Sequence, residues 1–71
     1  MAAIRKYREQ MGLKQEELAS KLGVKQSTVS LWETGERKPD IIMIKRIAQV
    51  LECSTDDLLA TIEMKEVQND E

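Results

Sequence analysis

Apolar residues recur along this chain at helical spacing, and no stretch alternates apolar and polar residues as a strand would. Ile4, Tyr7 and Met11 stand at i, i+3 and i+7, and Gly12 follows where a helix end favours a left-handed residue. Leu18, Ala19 and Leu22 form a second stripe, closed by Gly23. Val24 leads into a third helix, in which Val29 and Trp32 share a face and which ends at Gly35. Pro39-Asp40 interrupts the pattern, and Asp40 is a good N-cap for a fourth helix carrying Ile41, Ile44, Ile47, Ala48 and Leu51. Ser54 caps a fifth, with Asp56 and Asp57 in its first turn, favourable to the helix dipole, and Leu58, Leu59 and Ile62 on its apolar side. Beyond Ile62 the stretch "EMKEVQNDE" loses the stripe and turns acidic. The pattern predicts an all-α domain of five helices over residues 1–62 and a frayed acidic tail over residues 63–71.

The third helix carries the candidate chemistry. At 100° per residue, Lys25, Thr28, Val29 and Trp32 fall on one side, and Gln26, Ser27, Ser30, Leu31 and Thr34 on the other. That second side is neither a core stripe nor the charged surface of a merely solvated helix. Only the Gly23-Val24 region separates the second helix from the third, about the length of the glycine-containing turn of a helix-turn-helix. In that motif the first helix braces the second, whose N-terminal residues enter the major groove of DNA. Short amide and hydroxyl side chains suit base edges: glutamine pairs with adenine, serine donates or accepts, and an aliphatic group touches the thymine methyl.

Charge distribution changes the picture where net charge misleads. The chain is −2 overall, yet residues 1–38 hold eight Lys/Arg against five Asp/Glu, and residues 39–71 hold three against eight. The result is a basic half at +3 and an acidic half at −5, which fits a basic working surface with an acidic rear. Lys14, Lys25, Arg37 and Lys38 form a basic rim around the polar helix.

Composition excludes most other chemistry. Seventy-one residues make one domain with a single core and no deep cleft. One tryptophan, one tyrosine and no phenylalanine leave that core aliphatic, with methionine as filler. With no histidine and one cysteine, neither the usual zinc constellations nor a Ser-His or Cys-His nucleophile can be assembled, so no enzyme activity, metal or cofactor is expected. The isolated Cys53 reads as a buried structural thiol and favours a reducing, cytoplasmic setting. The longest apolar run, "IIMI" at residues 41–44, is too short to span a bilayer, and no signal peptide is expected, since no basic stretch followed by an apolar one opens the sequence.

The stretch "QEELASKLGVKQSTVSLWETGERKP" resembles the helix-turn-helix of the Cro and phage-repressor-like regulators, the XRE family, and "PDIIMIKRIAQVLECSTDDLLA" is similar to that family's fourth and fifth helices. The resemblance covers roughly residues 3–60. It implies a compact five-helix lambda-repressor-like domain that binds double-stranded operator DNA, usually as a dimer. By position, Gln26, Ser27 and Leu31 match base-reading residues, and Ser30 lies on the same face. Gln15, Thr34, Arg37 and Lys38 match backbone-contacting ones, Thr34, Arg37 and Lys38 being expected past the end of the helix. Lys14 and Lys25 are expected to reach phosphates too, and Arg8 and Glu33 match an internal ion pair. Lys14 and Lys25 stand where the family often has a Ser or Thr N-cap, Glu52 where it usually has glycine or asparagine, and Leu31 where a polar or basic side chain is more usual.

These readings predict a transcriptional regulator, most simply a repressor on a palindromic operator. A homodimer is expected through a patch of Met43, Val50, Leu59 and Ile62. The competing expectation is a protein-interaction module of the same fold, such as an antitoxin or controller partner subunit. The basic rim favours DNA, since a protein-binding surface would more naturally carry acidic or apolar residues there.

Overall fold

The computed structural model describes residues 1–59 of the chain. The described chain runs α1 (Ala2–Gln10), α2 (Gln15–Leu22), α3 (Gln26–Thr34) and α4 (Ile41–Leu51), then enters α5, helical from 55 to 59. The expected domain end at Ile62 and the tail over residues 63–71 lie outside the described residues. No helix among the described residues is long and apolar enough to cross a membrane.

Local chemistry accounts for most of the helix boundaries. Asp40 accepts from the Met43 N–H at 2.8 Å and starts α4. At α5, Ser54 and Asp57 cap one another reciprocally: the Asp57 N–H donates to Ser54 Oγ at 3.0 Å, and the Ser54 N–H to Asp57 Oδ2 at 3.1 Å. α2 ends on Gly23 at φ 73°, with Val24 N–H donating to the Ala19 carbonyl and Gly23 N–H to that of Ser20. α4 ends in the same way on Glu52, at φ 56° and ψ 44°, with Cys53 N–H reaching Ala48 and Glu52 N–H reaching Gln49. A side chain with a Cβ is strained there, and glycine would not be.

The apolar stripes meet in one core. Ile4, Leu18, Leu22, Val29, Ile47 and Leu58 are fully buried, and Trp32, Ile44 and Leu51 nearly so. Each such aliphatic side chain contributes about 1.5–3 kcal/mol relative to an exposed one. α2 packs on α3 and α4, and α1 packs across α3 and α4. Arg46 reaches back from α4 to the end of α2, Nη2 donating to the Leu22 carbonyl at 3.0 Å.

Three expectations are corrected. Met11 is 39% exposed, past the end of α1, and the buried position one turn after Ile4 is Arg8, whose head group is neutralised from α3. Ile41 is 59% exposed and its neighbour Ile42 68%; they begin α4 just before Met43 and Ile44, its first residues to meet the core. Cys53 is half-buried at the core's edge and not enclosed.

Candidate nucleic-acid interface

Three residues, Gly23, Val24 and Lys25, turn the chain from α2 into α3. Glycine's left-handed conformation permits the sharp reversal, and half-buried Val24 packs against the core to set its direction. Val29 and Trp32 hold the inner side of α3 in the core, so its outer side is presented by default. On that side Gln26 and Ser27 are exposed in the first turn, Ser30 and Leu31 are half-buried one turn on, and Thr34 is exposed. Thr34 is the last residue of α3, so it does not lie past the helix as expected. Its hydroxyl lies 3.2 Å from both the Leu31 carbonyl and Glu36 Oε2, so its single proton must leave these two acceptors to be donated elsewhere.

Lys14 and Lys25 occupy the N-cap positions of α2 and α3, and neither helix has a side-chain cap hydrogen bond there. An ammonium cannot accept, so α2 keeps only half of a capping box: Lys14 N–H donates to Glu17 Oε1 at 2.7 Å. Lys14, Lys25, Arg37 and Lys38 are all exposed. Among the described residues the ion pairs are Arg5–Glu9 and Arg8–Glu33, so none of these four cations is neutralised by a carboxylate within reach.

Behind this surface lies a buried ion pair. Arg8 Nε donates to Glu33 Oε2 at 2.7 Å and Nη2 to Oε1 at 3.2 Å, with the two side chains 9% and 4% exposed. Arg8 Nη1 also donates to the Leu13 carbonyl at 2.7 Å, holding the α1–α2 turn. The hydrogen bond to Glu33 raises the guanidinium above its ordinary value, outweighing the opposing effect of burial. Gln15, at the start of α2, donates from Nε2 to Glu33 Oε1 at 2.9 Å, and Gln26 Nε2 approaches Gln15 Oε1 at 3.5 Å. The two glutamine contacts have no signal in the sequence pattern, because they join residues of separate helices. Among the described residues no buried side-chain nitrogen or oxygen lacks a partner.

The residues nominated for a dimer are less open than the α4 tip. Met43, Val50 and Leu59 are half-buried and pack against the core, while Ile41 and Ile42 carry the larger exposed apolar area. Ile62 lies outside the described residues.

Comparison with known proteins bears on this arrangement. A helix-turn-helix family model matches residues 4–58. An HTH-type transcriptional regulator of Methanothermobacter thermautotrophicus is 44% identical over 48 residues, covering 68% of this chain and 70% of the relative. One from Archaeoglobus fulgidus is 38% identical over 55 residues, covering 78% of this chain and 79% of the relative. The Bacillus subtilis HTH-type transcriptional regulator YqaE is 34% identical over 68 residues; the match takes in 96% of this chain but 59% of YqaE. No solved structure gives a significant match. With α2, the glycine turn and α3 all inside the matched span, the chain belongs to the XRE-type helix-turn-helix family of transcriptional regulators.

Proposed function

We propose that this protein is a sequence-specific DNA-binding repressor that reads a palindromic operator through the major groove. The observation that carries the reading is a set of four exposed, unpaired cations flanking an outward amide and hydroxyl row, in a chain whose net charge is −2. Unpaired cations on a net acidic protein are placed to replace the counterions of a phosphate backbone. Gln26 and Ser27, in the turn of α3 nearest the base edges, form the hydrogen-bonded readout, with Ser30 behind them. Leu31 presents methyl groups to a thymine methyl. Lys14, Gln15, Lys25, Thr34, Arg37 and Lys38 hold phosphates and set the register. A homodimer doubles the contact on a two-fold site, through the patch of Met43, Val50, Leu59 and Ile62. Sedimentation showing monomer alone at high concentration, with and without operator, refutes that part.

The main test is selection from a random-sequence duplex pool, followed by titration of variants on selected and scrambled duplexes at several salt concentrations. Gln26→Ala costs about 1–3 kcal/mol on the selected duplex and little on the scrambled one. Lys38→Ala weakens both together and makes the slope of log affinity against log salt shallower by about one contact. If Gln26→Ala weakens both duplexes equally, α3 does not read sequence through that residue, and a protein partner becomes the better explanation of its outer face.

A further inference from the structure

One carboxylate stands on the surface where phosphates are expected. Thr34 follows Ser27 by seven residues and Ser30 by four, so it closes the outward row of α3 on the same face. Its hydroxyl lies 3.2 Å from Glu36 Oε2, which sets that carboxylate at the end of the row. Backbone bonds hold the loop in this shape. Gly35 turns at φ 87°, and the Arg37 N–H donates to the Leu31 carbonyl at 3.2 Å, folding residues 35–37 back against the last turn of α3. Glu36, Arg37 and Lys38 are exposed, and Pro39, next in the chain, is buried. Among the described residues no cation neutralises Glu36: the ion pairs are Arg5–Glu9 and Arg8–Glu33, although Arg37 and Lys38 are its neighbours in the chain. A helix C-terminus favours a cation, so an anion at this end of α3 gains nothing from the dipole.

We infer that Glu36 is an electrostatic brake on DNA binding: its carboxylate opposes the phosphate that Thr34, Arg37 and Lys38 would hold, and keeps the Thr34 hydroxyl from it. The inference rests on the DNA-reading function proposed above, and adds a residue that sets how tightly the chain holds any duplex. An ionised carboxylate only accepts, so it takes the one proton that Thr34 could donate to a phosphate oxygen. A phosphate arriving at this end of α3 meets a like charge and must displace that bond. The backbone carries the same charge in every sequence, so the opposition falls equally on the operator and on other DNA. Glu36 thus offsets part of what the four unpaired cations contribute, and leaves base choice to the rest of the row. What it changes is the share of the protein left free of DNA at a given salt concentration.

The test titrates the full chain and its Glu36→Gln, Thr34→Val and Glu36→Gln/Thr34→Val variants on the selected duplex and on a scrambled one, at several salt concentrations. Glu36→Gln is expected to tighten both duplexes by about fivefold, the scale of one exposed charge contact. It should also steepen the slope of log affinity against log salt, the opposite of Lys38→Ala. The new amide can donate to the Thr34 oxygen and release its proton. Thr34→Val should therefore weaken binding about threefold more in the Glu36→Gln background than in the parent, the scale of one hydrogen bond. Thermal unfolding followed by circular dichroism should show Glu36→Gln melting no lower than the parent. The inference is overturned if Glu36→Gln weakens both duplexes or leaves both unchanged. It is equally overturned if the ratio between the duplexes changes, which makes Glu36 a base reader, or if Thr34→Val costs the same in both backgrounds. A melting temperature several degrees lower makes Glu36 a structural clamp and also overturns it. Each of those results leaves DNA reading intact. A parent chain that enriches no sequence ends that reading and the inference with it.

Discussion

Removing Arg8 should unfold much of what holds α1 to the rest of the domain. Arg8→Ala deletes both donors to Glu33 and the donor to the Leu13 carbonyl. Glu33 is then left only 4% exposed with Gln15 as its one neutral donor. An exposed ion pair contributes about 0–1 kcal/mol. At 9% and 4% exposure this pair belongs to the buried class, in which breaking one side costs about 3–5 kcal/mol. A domain of this length has a total stability of about 4–10 kcal/mol. The loss is therefore about half of it, and the melting temperature should fall by about 12 °C or more.

Urea and thermal unfolding followed by circular dichroism measure both quantities. The cost comes from a stranded charge, not from lost volume, which a second variant separates. Arg8→Met combined with Glu33→Leu leaves neither charge buried and should recover most of the loss, a non-additivity of about 2 kcal/mol or more. If Arg8→Ala melts within a degree or two of the parent, the pair carries no appreciable energy. If the double variant is as unstable as the two single losses summed, stranded charge is not the cause.

Two further outcomes follow from single residues. Glu52→Gly relieves a left-handed conformation that costs a side-chain-bearing residue about 1–2 kcal/mol, set against glycine's greater chain entropy of about 0.5–1 kcal/mol. The variant should gain about 0.5–1 kcal/mol and melt a few degrees higher, whereas Glu52→Ala, which keeps a Cβ, should not; equal melting of Gly and Ala variants refutes this. Burial, and after it the Asp57 carboxylate, raises the Cys53 thiol above its ordinary value. The folded chain thus holds that proton more tightly than the unfolded chain, so the contribution is whole below the unfolded thiol range and is lost as pH rises through the folded value. Stability should decline above about pH 8.5, and Cys53→Ala should flatten that decline; an unchanged slope in the variant assigns it to another group.

The helices and the two faces of α3 were legible because they depend on neighbours in the chain. Spacing at 3.6 residues, glycine after each of the first three helices, Asp40 and Ser54 at the starts of α4 and α5: each is a local signal, and the structure uses all of them. Ile41 shows the limit of periodicity. It has the spacing of a core residue, but burial depends on what lies opposite, and at its position in the first turn of α4 it is 59% exposed although Met43 and Ile44 beside it meet the core. Arg8 shows the converse, a charge accepted into the apolar stripe of α1 because Glu33, 25 residues away, meets it there. The Gln15–Glu33 and Gln26–Gln15 contacts likewise join residues 18 and 11 apart. No local rule reports such contacts, since helix packing brings these side chains together and a carboxylate's inability to donate then orients the amides above it.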